Sequence, residues 1–372
     1  MKFFHLADLH LGIRVCEFSL LEDQGALLDF VLSEAERQKP DAVLLAGDIY
    51  DSLTPPAEAV RLFDRFVSGL SALGVKTFLI PGNHDSADRL SFGSSLLEKS
   101  GVYIAGAYRA PLLPVRLSDA FGEVEILMLP FVRPADVRRV YPEASIGSYT
   151  DAVRAALLGA GHTEGVRRVL LSHQFVCADA ADLVSVGGTD NVDLSVYRDF
   201  SYVALGHIHT ARTFPDGHTR YAGAPLAYTF GEIGGVKSFT VVDLDGEGEA
   251  RISECEIAPL RPLRELRGTF ADLIAKEADA TAYYRVVLTD EEDVPDALAE
   301  LRLRFPYIMQ LIYDNTRTRA AAALSFDEDL PLRDPFTLFS EFYELQNGKP
   351  LSDEAKEVLT ETIGEVFGHE NS

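Results

Sequence analysis

Ile80-Pro81-Gly82-Asn83-His84-Asp85 sets an amide, an imidazole and a carboxylate on a tight turn directly after an apolar run. Val75-Lys76-Thr77-Phe78-Leu79-Ile80 reads as a buried strand from its β-branched and aromatic residues, and Pro81-Gly82 ends it and lets the backbone bend sharply. Asn and Asp are also ordinary turn residues that bond their own backbone. The stretch alone is therefore as consistent with a plain turn as with a site, and its meaning depends on how other strands end.

They end the same way. Phe3-Phe4-His5-Leu6-Ala7 is a short apolar strand that delivers Asp8-Leu9-His10, and strand alternation puts residues 8 and 10 on one side. A helical pattern with Leu27, Leu28, Val31 and Leu32 on one face stops before Pro40, and the strand from Asp41 to Ala46 runs into Gly47-Asp48. Pro55-Pro56 precedes a helix with the stripe Val60, Phe63, Phe66, Val67 and Leu70, closed by Gly74. Residues 88–100 read as helix, 101–130 as short strands with the clearest over 124–129, and 149–159 as helix. Val166 to Leu171 is a strand ending in Ser172-His173-Gln174, and Tyr202 to Leu205 exits into Gly206-His207-Ile208-His209. Between them, 175–200 has no periodicity and reads as a loop. Pro215-Asp216-Gly217 and Asp245-Gly246 mark hairpins, an antiparallel end to the sheet system.

With 372 residues the chain can bury a substantial core and has room for two domains and an appendage. No apolar run approaches the roughly 20 residues of a membrane helix. The N-terminus enters polar motif residues at Asp8 without a signal-peptide core, which predicts a cytoplasmic location. Cys16, Cys177 and Cys255 are scattered, which argues against a disulfide framework. The formal net charge of −24 opposes polyanion binding, and residues 321–372 alone hold 3 Lys/Arg against 12 Asp/Glu. Of Arg133, Arg138, Arg139, Arg167 and Arg168, most read as solvated surface. A polyanionic substrate would need divalent metals or a partner protein to supply the attraction.

Beyond Pro259 the character changes. The pattern predicts a catalytic domain over 1–258 and a small α/β unit over 259–315, with strands at 283–288 and 308–313 and a helix at 294–304. A polar, Ala-rich linker follows over 316–334, then a helical hairpin over 335–372. The hairpin's stripes are Phe336, Phe339, Phe342 and Tyr343, then Val358, Leu359, Ile363, Val366 and Phe367, around the turn Asn347-Gly348-Lys349-Pro350.

Asp8, His10, Asp48, Asn83, His84, His173, His207 and His209 all fall at C-terminal ends of predicted strands, the edge where open α/β sheets bind ligands. Any one of these histidines is more often a core or surface residue than a ligand, and His5, His162, His218 and His369 are read that way. A cluster of them left without partners would cost about 1–3 kcal/mol per group. Carboxylate, imidazole and amide oxygen together suit borderline divalent ions such as Mn²⁺, Fe²⁺ or Zn²⁺. One ion cannot use all of these groups, whereas two ions sharing a carboxylate use most, and such a pair clamps the attacking and leaving oxygens of a displacement at phosphorus. The residues therefore predict phosphoester hydrolysis, with His84 open as a ligand.

Asp8-x-His10, Gly47-Asp48-x-x-Asp51, Gly82-Asn83-His84-Asp85, His173 and Gly206-His207-x-His209 resemble the motifs of the calcineurin-like metallophosphoesterases. Phe131-x-Arg133-Pro134 and Tyr221-x-Gly223-x-Pro225 narrow the resemblance to that family's bacterial nuclease subunits, over nearly the whole chain. The resemblance implies an α/β fold, a four-layer αββα sandwich with a small capping domain and a C-terminal helical hairpin. It implies that Asp8, His10 and His209 hold one cation, that Asn83, His173 and His207 hold the other, and that Asp48 bridges two Mn²⁺ ions. His84 would face the scissile phosphate, with Asp85 orienting its imidazole. Asp51 stands where some relatives carry a second phosphate-facing histidine, and Ala224 where a serine is commoner.

The same resemblance implies a 3′-to-5′ exonuclease on double-stranded DNA ends and an endonuclease on single strands and hairpins. The capping domain would angle DNA toward the cations, and the hairpin would bind a partner ATPase subunit. Helices near 58–72 and 88–99 would pair two copies into a homodimer within a heterotetramer. Two readings compete: a phosphomonoesterase or small phosphodiesterase with the same ligands, and a scaffold that only binds partners. A missing ligand would mark the scaffold, and none is missing.

Overall fold

In the computed structural model, residues 1–161, 163, 165–178 and 191–323 are described, with positions 336, 339, 340, 343, 350–352, 355, 356, 358, 359 and 363. Twelve strands form two six-stranded sheets. In the first sheet, β1 (Lys2–Leu6), β2 (Ala42–Ala46), β3 (Lys76–Ile80) and β4 (Val102–Ile104) run parallel, joined through α1 (Leu21–Gln38) and α2 (Ala57–Ala72). The second contains β5 (Val115–Asp119), β6 (Gly122–Leu129), β7 (Arg167–His173), β8 (Tyr202–Gly206), β9 (Arg212–Thr213) and β10 (Thr219–Tyr221), with α3 (Pro134–Val140) and α4 (Tyr149–Leu158) between β6 and β7. The chain then returns to the first sheet, where β11 (Lys237–Leu244) lies antiparallel to β1 and β12 (Ala250–Ile257) pairs with β11.

Strand alternation assigns side chains to layers. On β2, Ala42 and Leu44 face one way and Val43 and Leu45 the other. The first pair packs with Phe3, Phe78, Val124, Ile126, Val169, Leu171, Tyr202 and Ala204, which come from both sheets, so this cluster is the interface between them. Val43 and Leu45 pack with Leu27, Leu28 and Val31 of α1 and Phe63, Phe66 and Leu70 of α2. Leu127, Leu170, Val203 and Leu205 pack with Val137, Val153 and Ala156 of α3 and α4. The result is helix, sheet, sheet, helix: the expected four-layer sandwich. Strands buried on both faces explain the continuous apolar runs, and each fully buried large side chain contributes on the order of 1.5–3 kcal/mol.

Four expectations need adjustment. Arg167 and Arg168, grouped with the surface arginines, are buried, Arg167 paired with Asp119 at 2.5 Å and Arg168 3.7 Å from the Glu125 carboxylate. Residues 88–100 are not one helix: single turns at Ala87–Leu90 and Ser94–Leu97 and a 3₁₀ turn at Glu98–Ser100 are separated at Gly93, whose φ of +72° is left-handed. The two hairpins form as expected but belong to different sheets. The first also leaves β10 parallel to β8, so that end is not purely antiparallel. Within 175–200, Val176–Cys177 pairs with Val192–Asp193, and 179–190 lies outside the described residues.

Chain compactness divides the molecule into Met1–Leu266 with Leu273–Val286 and Asp296–Leu311, and Arg267–Asp272 with Val287–Pro295 and Ile312–Ser372. Leu263–Gly268, Tyr283–Leu288 and Ile308–Tyr313 form a three-stranded sheet. In the second unit, Asn315 is buried, donates to the carbonyl of Asp290 and accepts from Thr318 N–H, opening the helix Thr316–Ala323. The expected linker thus begins as helix, in keeping with its alanines. Most of that linker and of the hairpin expected over 335–372 lies outside the described residues. Among the described residues no helix is long and apolar enough to cross a membrane.

Candidate metal centre

The C-terminal ends of β1, β2 and β3 in one sheet and of β7 and β8 in the other open onto the same place. Two glycines permit the approach. A Cβ on Gly206 would lie 2.1 Å from the Ala46 carbonyl oxygen, and one on Gly47 would lie 2.3 Å from His173 Nδ1. With neither present, His173 Nδ1 reaches the Ala46 carbonyl at 2.7 Å. That bond puts a proton on Nδ1 and turns Nε2 toward the Asn83 and Asp48 oxygens.

Asp8, His10, Asp48 and His207 all have positive φ, at +53°, +41°, +50° and +103°. Left-handed backbone, not the strand alternation expected from the sequence, turns Asp8 and His10 inward. For residues other than glycine this conformation is strained, and such strain gathers at functional sites.

Two groups of donors result. His10 Nε2 and His209 Nε2 are 3.2 Å apart, and Asp8, His10 and His209 offer ligand atoms within 4.8 Å of one another. On the other side, Asn83 Oδ1 lies 3.1 Å from His173 Nε2 and 3.1 Å from His207 Nδ1. Asp48 Oδ2 stands between the groups, 3.6 Å from His10 Nε2 and 3.4 Å from His173 Nε2. The other oxygen of Asp48 accepts the His84 N–H at 2.9 Å, and Asp8 accepts the His207 N–H at 3.0 Å. Seven of the residues singled out in the sequence thus meet in one cradle. Its oxygens and imidazole nitrogens fit divalent cations, and two facing imidazole nitrogens at 3.2 Å need a shared proton or cation between them.

The electrostatics carry the same mark. Burial pushes the Asp8 carboxyl up to about 6. Burial opposes protonation of His173, but the Asp48 carboxylate outweighs it and raises that imidazole to about 9. The desolvation of Asp48 is in turn outweighed by His173, which holds its carboxyl well below the usual range. His207, desolvated and beside His173, is lowered to about 4. A cradle so divided over where protons belong is one that positive ions would satisfy.

His84 is exposed, its ring centroid 4.9 Å from that of His10, and with His10 and Asp51 it too offers ligand atoms within 4.8 Å of one another. Its Nδ1 bonds the Asp51 carbonyl at 3.1 Å. This corrects the expectation for Asp85. The Asp85 carboxylate is buried and accepts the N–H groups of Ile49 at 3.0 Å, Tyr50 at 2.9 Å and Gly82 at 2.9 Å, so it ties the 47–50 turn to the 82–85 turn. Those bonds use both oxygens, and the His84 imidazole is not among its partners. The Asp51 carboxylate sits 3.4 Å from His10 Nδ1. Ala224 N–H bonds the His209 carbonyl, and the Tyr228 ring packs against the rings of both His10 and His209.

Gln24 and Tyr228 contact this loop system without having been expected there. Gln24 had a trace in the sequence: with Leu27, Leu28 and Val31 it falls on the buried stripe of α1, a polar residue at an apolar position. Tyr228 had none.

A four-layer α/β sandwich whose strand exits gather carboxylate, amide and imidazole donors for paired cations is the architecture of a metallophosphoesterase. The family model for calcineurin-like phosphoesterases matches residues 1–211, and the chain belongs to that family, as a hydrolase. Within it the similarity is to SbcD. The chain is 26% identical over 383 residues to SbcD, the nuclease subunit of SbcCD, from Staphylococcus epidermidis, covering 100% of each. A second family model, the type 5 capsule protein repressor C-terminal domain, matches residues 259–347. Among solved structures, a dimetal phosphatase from Danio rerio is 16% identical with a TM-score of 0.39, covering 69% of this chain and 95% of that one. A Thermus thermophilus protein is 11% identical with a TM-score of 0.39, covering 68% and 98%.

Proposed function

We propose that the chain is a DNA nuclease that hydrolyses phosphodiesters with two cations, Mn²⁺ by preference, as the partner of an SbcC-type ATPase in DNA repair and recombination. Asp8, His10 and His209 would hold one cation, Asn83, His173 and His207 the other, and Asp48 both. The observation that carries this reading is the placement of Asp48 Oδ2 between His10 Nε2 and His173 Nε2, at 3.6 and 3.4 Å. The full-length similarity to a nuclease subunit supports DNA as the substrate. Cations bound there would supply a nucleophile at neutral pH and neutralise phosphate charge.

The remaining chemistry belongs to the side chains. With Nδ1 donating to the Asp51 carbonyl, His84 carries a proton on Nε2 only as an imidazolium. In that form it stabilises the charge developing on the phosphate or protonates the leaving oxygen. Asp85 acts on it indirectly, by fixing the turn that bears it. Cleavage would be 3′-to-5′ exonucleolytic on duplex ends and endonucleolytic on single strands and hairpins.

Residues 259–315 would guide DNA as a capping domain, 316–334 would link, and a hairpin over 335–372 would carry the ATPase subunit, all in the cytoplasm. Exposed Val60, Leu73, Phe92 and Leu96, on or beside α2 and the 87–97 turns, support a homodimer. The deciding experiment offers linear duplex DNA with Mn²⁺ alongside nitrophenyl monoester and diester substrates. DNA degradation is expected, and turnover of the monoester with DNA intact would move the assignment to a phosphomonoesterase. A pull-down with and without residues 335–372 tests the partner.

A further inference from the structure

The backbone of residues 8–12 is held from two sides. Its N–H groups run to the neighbouring strand exit, from Asp8 to the Gly47 carbonyl at 3.0 Å, from His10 to Asp48 at 3.0 Å and from Leu11 to Ile49 at 2.9 Å. Its carbonyls run the other way. Gln24 Nε2 donates to the carbonyls of Leu9 at 3.0 Å and His10 at 2.8 Å, and Gln24 Oε1 accepts the Gly12 N–H at 3.0 Å. Gln24 is fully buried, and its amide oxygen and nitrogen both bond this one loop. The Tyr228 hydroxyl adds a second donor to the Leu9 carbonyl at 2.6 Å.

We propose that Gln24 is a positioning residue for one half of the dimetal centre, the half built on Asp8, His10 and His209. This rests on the dimetal reading above and adds to it a residue of α1 that is not itself one of the cradle's donors. Asp8 and His10 are both left-handed, at φ +53° and +41°, a conformation that costs L residues about 1–2 kcal/mol each. Relaxation of either would swing its carboxylate or imidazole out of the cradle. For His10 the Gln24 amide removes that option by holding the Leu9 and His10 carbonyls, whose peptide planes flank that residue.

Its own helix is anchored next door. Asp23 accepts the Arg261 N–H at 3.0 Å and the Tyr283 hydroxyl at 2.7 Å, so the first turn of α1 is fixed against the later chain while Gln24 fixes the loop. The other half of the centre, Asn83, His173 and His207, makes no bond to Gln24. A general contribution to folding would weaken both halves together. Positioning weakens one.

The test uses the full-length protein stripped of metal, titrated with Mn²⁺ by calorimetry and followed by electron paramagnetic resonance. Gln24→Met keeps the shape and removes the amide, and Gln24→Glu keeps the acceptor for Gly12 while removing both donors, so a folding defect in one leaves the other. Both are expected to weaken one Mn²⁺ binding event by about 10–100-fold. That event is the one His209→Ala abolishes, and the second event stays near wild type. At two equivalents the spin-coupled signal of the wild type should give way to that of uncoupled Mn²⁺. Wild-type binding in both variants, or equal weakening of both events, overturns the role of Gln24 alone. A wild type that binds no Mn²⁺ overturns the dimetal reading and this role with it.

Discussion

His10 Nε2 and His209 Nε2 face each other at 3.2 Å although 199 positions separate them in the chain. Two neutral imidazoles cannot hold that contact with both lone pairs inward, so a proton or cation must lie between them. His209→Ala removes one side of the pair and leaves Asn83, His173 and His207 untouched. Metal content after equilibration with Mn²⁺ should fall from two equivalents per chain to about one, and DNA cleavage should be lost with it. Two equivalents retained in the variant would place His209 outside the centre.

His84 stands beside the donors, bound through Nδ1 to a backbone carbonyl. His84→Gln should therefore leave Mn²⁺ stoichiometry unchanged while lowering the cleavage rate by about 10²–10⁴-fold, the usual contribution of a general acid. Loss of a cation in this variant would make His84 a ligand.

Much of this centre was legible before the fold was known, because strand exits are marked by an apolar run ending in Gly, Pro or a polar residue. Asp8, Asp48, Asn83, His173 and His207 all follow such runs. What brings them together was not legible. The inward turn of Asp8 and His10 comes from left-handed backbone, which no alternation of residue types records. Asp85 read as a partner of its neighbour His84, whereas its carboxylate serves N–H groups at Ile49 and Tyr50, contacts set by the pairing of β2 with β3. Gly93, left-handed, splits the helix expected over 88–100, and one glycine inside a helical pattern does not announce that conformation.

The three N–H groups on Asp85 imply a cost that orienting an imidazole would not. In Asp85→Asn, one oxygen becomes an amide facing at least one backbone donor, and the 47–50 turn loses an acceptor. Unfolding in urea should show a loss of about 1–3 kcal/mol. Unchanged stability with a displaced pH profile of cleavage would return Asp85 to the imidazole.

His5 lies between the sheets, its Nδ1 2.8 Å from the Tyr202 hydroxyl, and burial with the nearby Arg220 charge lowers it from 6.5 to about 3. The unfolded chain takes up a proton near pH 6.5 that the folded chain refuses until about pH 3, so this contribution is full above 6.5 and lost as pH falls toward 3. Between pH 7 and 4.5 it amounts to about 2–3 kcal/mol. His5→Phe leaves the Tyr202 hydroxyl short of a partner at every pH, so the comparison is between slopes. Urea denaturation of metal-free protein should show a shallower loss on acidification in His5→Phe, and parallel slopes would mean His5 is protonated in the fold.

Gly82 and Gly74 separate two reasons for glycine. A Cβ on Gly82 would lie 2.1 Å from Asp48 Oδ1 and 2.4 Å from the Asp48 nitrogen, and Gly82 does not need positive φ. Gly74 has φ +75° with nothing within 4 Å of its Cβ position. Gly74→Ala should thus cost about 1–2 kcal/mol through the backbone alone and leave Mn²⁺ binding intact. Gly82→Ala needs no left-handed φ but drives a methyl into the carboxylate and backbone nitrogen of Asp48, which must shift, so calorimetry should show both Mn²⁺ binding events weakened together. This pattern differs from the one-sided loss expected at Gln24, because Asp48 serves both halves. If Gly82→Ala bound Mn²⁺ like the wild type, Asp48 would not be the shared ligand.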